Sequence, residues 1–114
     1  MQLNTEAMDG GITLIRLRGR MDMSGTQQID LQFTALTTVK QGAYIVDMSA
    51  VDFLASIGIR TLLVSAKGAQ ARGGRLVLLK PTKLVADALE SAGITRILPV
   101  FDDLEAARAG APAS

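Results

Sequence analysis

The chain contains no cysteine, no histidine and no tryptophan. Those absences exclude much chemistry before any motif is read. Without Cys and His there is no thiol nucleophile, no side chain that ordinarily titrates near neutrality and neither of the usual zinc ligands. A Ser–Lys or carboxylate-pair mechanism passes that filter, but Lys67 should lie about three helical turns from Ser56, too far to act as its base. No enzymatic activity, cofactor or metal ion is therefore expected. Charge of one sign is also missing: 12 basic and 11 acidic side chains leave a net charge of +1. The basic residues are scattered, so no field exists to steer nucleic acid, and a nucleic-acid partner is not expected. No run approaches the roughly twenty apolar residues of a membrane helix, and the first residues lack the regions of a secretion signal. Direct membrane insertion is not expected, and the expected location is cytoplasmic. Absence of cysteine fits that compartment.

What is present is an apolar, mid-sized chain: 114 residues, 48% of them hydrophobic. That is enough to bury one core without disulfides or metal, so a single domain over 1–108 with a flexible tail over 109–114 is expected. Two short segments, Gln2 to Ala7 and Ile12 to Arg18, flank Met8-Asp9-Gly10-Gly11 and read as a hairpin. In the second, Ile12 and Leu14 share a face with Arg16 and Arg18, which predicts cover over only half of that strand. A loop from Gly19 to Gly25 leads into a helix with Ile29, Phe33 and Leu36 on its inner stripe and Gln27, Asp30 and Thr34 outside.

Ala43 to Met48 and Arg75 to Lys80 are nearly continuous apolar runs, the pattern of parallel strands covered on both faces. Between them Ile59, Leu62, Leu63, Ala66 and Ala69 recur at helical spacing, and the turn Ala71-Arg72-Gly73-Gly74 closes a βαβ unit. Pro81 should open a third helix with Leu84, Val85, Ala88, Leu89 and Ala92 inward and Gly93 just past its end. Ile97 to Val100 fits a last edge strand. Asp102 or Asp103 should cap a short helix through Arg108. The fold class is α/β, a mixed sheet of four to five strands with about four helices.

The paired glycines are explained by turns, since neither pair matches a nucleotide fingerprint. No pocket with basic or glycine-rich phosphate contacts is apparent. Asp22, Asp47 and Asp52 are carboxylates that could gather around a metal, yet carboxylates at strand ends more often accept nearby backbone N–H groups. Ser56 is the most informative position. It stands where a strand's loop turns into a helix and reads as the N-cap, a place that also tolerates a phosphate through unpaired N–H groups and the helix dipole. Geometry alone allows a plain cap or a phosphate acceptor. Beside it runs a second stripe, Ile57, Thr61, Val64 and Gly68, in which Ile57 is the expected exposed contact and Val64 the expected lateral core residue.

The segment Asp47-Met48-Ser49-Ala50-Val51-Asp52-Phe53-Leu54-Ala55-Ser56-Ile57-Gly58-Ile59 resembles the signature of the STAS domain family, the anti-sigma factor antagonists. Gly19-Arg20-Met21-Asp22, Gly73-Gly74 and Leu89-Glu90-Ser91-Ala92-Gly93-Ile94 are similar to further elements of that family in the same order. The resemblance implies a STAS fold and an antagonist that, while unphosphorylated, binds an anti-sigma factor and so frees a sigma factor. It implies that the partner is a histidine-kinase-like ATPase acting as a serine kinase, that Ser56 is its target, and that a PP2C-type phosphatase reverses the modification. The implied partner surface comprises Asp22, Ala55, Ser56, Ile57, Arg60, Thr61 and Val64. Two residues depart from the family pattern: Ala55 replaces the usual Asp before the acceptor, and Ile57 replaces a small hydroxylic residue after it. Without that Asp, phosphorylation would be slow, would rely on Asp22, or would not occur. The alternative is a STAS subunit docked on the permease of a lipid-transporting ABC complex.

Overall fold

Parallel strands joined through helices must be covered by those helices, and the apolar runs of the chain are spent in that way. The computed structural model describes residues 1–111. In chain order it comprises β1 (Gln2–Met8), a 3-10 turn over Asp9–Gly11, β2 (Ile12–Met21), α1 (Met23–Leu36) and β3 (Ala43–Leu54). These are followed by α2 (Ser56–Ala71), β4 (Arg75–Leu79), α3 (Lys83–Ser91), β5 (Val100–Phe101) and α4 (Leu104–Gly110). The five strands lie side by side in sequence order; β1 is antiparallel to β2, and all later pairs are parallel. The expected α/β class, mixed sheet and four helices are what the chain forms.

Each crossover returns the chain to the adjacent strand, so helices α1, α2 and α3 fall on one face. Ile29 and Phe33 of α1, Leu62, Ala66 and Ala69 of α2, and Val85 and Leu89 of α3 share a cluster with Ile15, Tyr44, Val46 and Leu78 of the sheet. On the opposite face α4 covers a smaller cluster: Ala107 packs with Ile12, Leu14, Ile45, Val77 and Leu79. Arg16 and Arg18 lie beyond that cover and are exposed, as the half-covered pattern of β2 predicts. Arg16 pairs there with Glu6 of β1 at 3.0 Å, a solvated ion pair of little energetic weight.

Several boundaries differ from the sequence pattern. Strands β2 and β3 are longer than expected because they extend each other: beyond Asp47 they stay paired through two register shifts, ending with Arg20 opposite Phe53 and Met21 opposite Leu54. Gly19, at φ 117, sits between those irregularities. The loop expected over Gly19 to Gly25 therefore shrinks to Asp22. Helix α3 starts at Lys83 rather than Pro81, because Thr82 supplies the cap and accepts from the Val85 N–H. Leu84, expected inward, is 58% exposed, and Ala92 is an exposed C-cap residue. The last strand is only Val100–Phe101, since Leu98 turns into the core. Asp103 caps α4 through the Ala106 N–H. Helix α4 continues to Gly110 and Ala111 is buried, so these residues belong to the packed fold; the expected tail over 112–114 lies outside the described residues.

Helix α2 ends in a Schellman turn. Gly74 N–H donates to Ala69 O at 2.8 Å and Gly73 N–H to Gln70 O at 3.1 Å, with Gly73 at φ 80. Gly74 then passes so close to Gly42 that a Cβ would lie 2.1 Å from the Gly42 carbonyl oxygen. Gly93, past the end of α3, has φ 68 and open space around it. Two different penalties should follow. Gly93→Ala meets only the left-handed backbone and should lower stability by about 1–2 kcal/mol. Gly74→Ala forces two backbones apart and should reach or exceed about 3 kcal/mol, the upper end of overpacking penalties. Urea denaturation followed by circular dichroism checks the order, which an equal midpoint for the two variants would contradict.

Candidate functional site

Strand β3 delivers the chain to the start of α2 with only Ala55 between them. The Ala55 N–H donates to Met21 O at 3.0 Å, tying this junction to the end of β2, and Ala55 O accepts from the Ile59 N–H at 3.1 Å to begin the helix. Ser56 is thus the first helical residue and Ala55 the N-cap, a correction to the cap role expected for Ser56. The longer β3 causes it, because the strand continues through Leu54 and leaves no loop for a capping serine. Ala55 has no side chain with which to cap, and α2 is the one α-helix among the described residues without a side-chain cap; Asp22, Thr82 and Asp103 serve the other three. Its first-turn N–H groups therefore keep the partial positive charge of a helix start. The Ser56 side chain is exposed.

The orientation of that turn is set by a glycine. A Cβ on Gly58 would lie 2.8 Å from Leu54 Cδ1, 2.8 Å from Met21 Cγ and 3.1 Å from Met21 O. With Gly58 pressed onto the strand ends, Ser56 is left facing away from them.

Starting at Ile57, the residue after Ser56, a groove of about 350 Å³ runs between α1 and α2. Ile57, Arg60, Thr61 and Val64 form its α2 wall, and Thr26, Gln27, Asp30 and Thr34 its α1 wall. Four of the seven expected contact residues are therefore brought together in one surface. The roles of two are exchanged: Val64 is 58% exposed, while Ile57 is half-buried by the pinned first turn. Sequence reading missed Asp30 as a site residue. Its Oδ1 accepts from Thr61 Oγ1 at 3.4 Å and from Thr34 Oγ1 at 3.5 Å, bridging the two helices. The fourfold spacing of Thr26, Asp30 and Thr34 was the available signal, a polar stripe beside the apolar one. Thr26 itself is buried, and its hydroxyl lacks a hydrogen-bond partner among the described residues.

Asp22 stands outside the groove, at the same end of the sheet as Ser56. Its Oδ1 accepts from the Gly25 N–H at 2.8 Å, capping α1, and its Oδ2 meets Arg20 Nε at 3.2 Å. Arg20 in turn lies over the Phe53 ring, 4.2 Å from its centre. Both Asp22 oxygens are engaged, so the carboxylate orders the start of α1. Asp47 likewise accepts a backbone N–H, from Ser49 at 2.9 Å. Among the described residues no three carboxylates gather into a group able to hold a metal ion. No helix among them is long and apolar enough to cross a membrane.

Comparison with known proteins places this geometry in context. The family model described as the STAS domain matches residues 6–107. BtrV of Bordetella bronchiseptica, a candidate anti-sigma factor antagonist, is 28% identical over 109 residues, covering 96% of this chain and 93% of its own. Among solved structures, an anti-sigma factor antagonist from Mycobacterium paratuberculosis superposes with a TM-score of 0.85 at 19% identity, over 96% of this chain and 92% of that one. The anti-sigma factor antagonist SpoIIAA in its unphosphorylated form gives 0.74 at 22% identity, with 92% of each chain covered. Its phosphorylated form, from Bacillus, gives 0.71 at 20% identity, covering 96% of this chain and 99% of that one. The structural likenesses establish the fold.

The Gly25 N–H, with Arg20 assisting against desolvation, holds the Asp22 carboxyl below its ordinary value of 3.8. A carboxyl with a depressed folded-state pKa contributes stability that is complete above its unfolded value and is lost as pH falls toward the folded one. Replacing Asp22 with Asn keeps an acceptor but removes the charge. The stability gap between the native chain and Asp22→Asn should be widest near neutrality and shrink as pH falls below about 4. Urea midpoints at a series of pH values measure it; a gap independent of pH would show that the charge contributes nothing.

Proposed function

The chain belongs to the STAS domain family, and on that footing we propose that it is an anti-sigma factor antagonist switched by phosphorylation of Ser56. One observation carries the reading: an exposed serine at the first position of an uncapped helix, followed directly in the chain by Ile57, with which the α2 wall of a groove that includes Arg60, Thr61 and Val64 begins. In the unmodified state the groove and the neutral hydroxyl dock together on an anti-sigma factor. The partner is a serine kinase of the histidine-kinase-like ATPase type, and its capture releases a sigma factor.

Phosphate on Ser56 adds about −1.5 to −2 charges. The scaffold tolerates them, because the start of α2 offers free N–H groups and about half a positive charge. Arg60, four residues further along the same helix face, is a cation in register to meet the dianion. The partner surface has no such compensation, so desolvation and repulsion weaken the complex without refolding the antagonist. A PP2C-type phosphatase removes the group and resets the cycle. Ala55 stands where the family carries Asp, and Asp22 is already committed to Gly25 and Arg20. Phosphorylation therefore proceeds without help from a neighbouring carboxylate of this chain and is correspondingly slow.

Incubation with the cognate anti-sigma factor kinase and ATP should place phosphate on Ser56, located by mass spectrometry; phosphate elsewhere, or none, overturns the switch. Ser56→Asp should weaken kinase binding by about tenfold or more, read by calorimetry. The same variant should melt no lower than the native chain, since an acidic side chain in the first turn is favourable. Undiminished affinity would show that the kinase docks elsewhere, and binding to a permease in place of a kinase would assign the chain to transport.

A further inference from the structure

A second cavity lies away from Ser56. A cleft of about 800 Å³ opens at the other end of the sheet, where β4 begins, between the end of α2 and the turn that follows α3. Its floor is apolar, made by Ala66 and Leu76, both buried. Its rim carries Gln70, Arg75 and Arg96, and among the described residues no acidic one lines it. Arg75 and Arg96 are exposed, and neither forms an ion pair among the described residues, where the ion pairs involve other cations. Ile97, 39% exposed although large and apolar, forms one wall with Pro99.

The cleft is built in advance of any occupant. Its α2 edge is held by the Schellman turn, and its β4 edge by the Arg75 N–H, which donates to Gly42 O at 2.9 Å. The opposite wall is a tight turn in which the Ile97 and Leu98 N–H groups both donate to Ile94 O, at 3.0 and 2.9 Å. Gly73 and Gly93, both at the positive φ that glycine favours, also line the cleft. The backbone N–H groups of the α2 edge are already used, so recognition falls to side chains. The carbonyl end of α2 contributes about half a negative charge, which two guanidinium groups outweigh.

A volume of this size is that of a small-molecule site. Planar guanidinium forks match phosphate oxygens, and an apolar wall beside them matches a ring or hydrocarbon portion. We propose that this cleft binds a small organic phosphate, its anionic group held by Arg75 and Arg96 and its apolar part against Ile97 and Pro99. The proposal is independent of Ser56, which lies past the other end of β3.

Inorganic phosphate and phenyl phosphate, titrated separately into the isotope-labelled full chain and followed by ¹H–¹⁵N correlation spectra, test it. Phenyl phosphate should produce saturable shifts at Gly73, Arg75, Gly93, Arg96 and Ile97, and should bind about tenfold more tightly than inorganic phosphate because of the apolar wall. Arg75→Gln with Arg96→Gln should weaken binding by about tenfold or more at an unchanged melting temperature, both side chains being exposed. Should that pair of changes perturb folding, Arg96→Gln alone, in the exposed turn, gives the same reading. Absence of saturation, equal affinity for the two probes, shifts centred on Ser56, or binding that survives the arginine changes would each overturn the assignment.

Discussion

One backbone hydrogen bond organises the functional end of this molecule. The Ala55 N–H reaches across to the Met21 carbonyl and joins the end of β3 to the end of β2, so that α1 and α2 both begin at that point. Gly58 completes the constraint by allowing the first turn of α2 to rest directly on Met21 and Leu54. With the backbone held from one side by a hydrogen bond and from beneath by close packing, the first helical residue has only solvent to face. Ser56 is exposed because its neighbours are fixed.

The same junction accounts for the groove. Helices α1 and α2 start side by side, the groove lies between them, and Asp30 bridges it to Thr61. A surface of this kind mixes apolar and hydroxylic side chains without a large charged field. That composition suits a partner recognised by shape and released by a change in charge, since a dianion added at one edge alters the electrostatics far more than it alters the packing. The scaffold beneath rests on an apolar cluster, Ile29, Phe33, Leu62 and Ala66 against Tyr44 and Val46, that carries no charge for the event to perturb.

Much of the architecture was legible because periodicity reports burial. The stripe Ile29 and Phe33, the apolar runs of β3 and β4, and the change of spacing at Ser56 each express one local rule, and each element formed where the rule put it. Boundaries were less legible. Ser49 to Leu54 forms strand because β2 runs alongside to pair with it, which no property of that segment announces. Leu84 has the spacing of a core residue, yet α3 is short and packs inward through Val85 and Leu89, so the flank carrying Leu84 remains in water. The exchange between Ile57 and Val64 has the same origin: both lie on one stripe, and the seating of the first turn of α2 on Met21 and Leu54 covers Ile57 while Val64 stays exposed.

Composition and pattern by themselves determined the α/β class, the two-sided burial of the central strands, the absence of thiol and imidazole chemistry and the position of the helix start beside Ser56. These are local quantities, set by which side chains exist and how often they recur along the chain. Only the tertiary structure decided that Ala55 and not Ser56 is the cap, that Asp22 is committed to α1, that Asp30 bridges two helices, and that Arg75 and Arg96 share a cleft. All but the commitment of Asp22, whose partners lie within three residues of it, depend on segments distant in sequence being brought together. That juxtaposition is fixed by strand register and helix packing over the whole sheet, and residue spacing within any one segment carries no record of it.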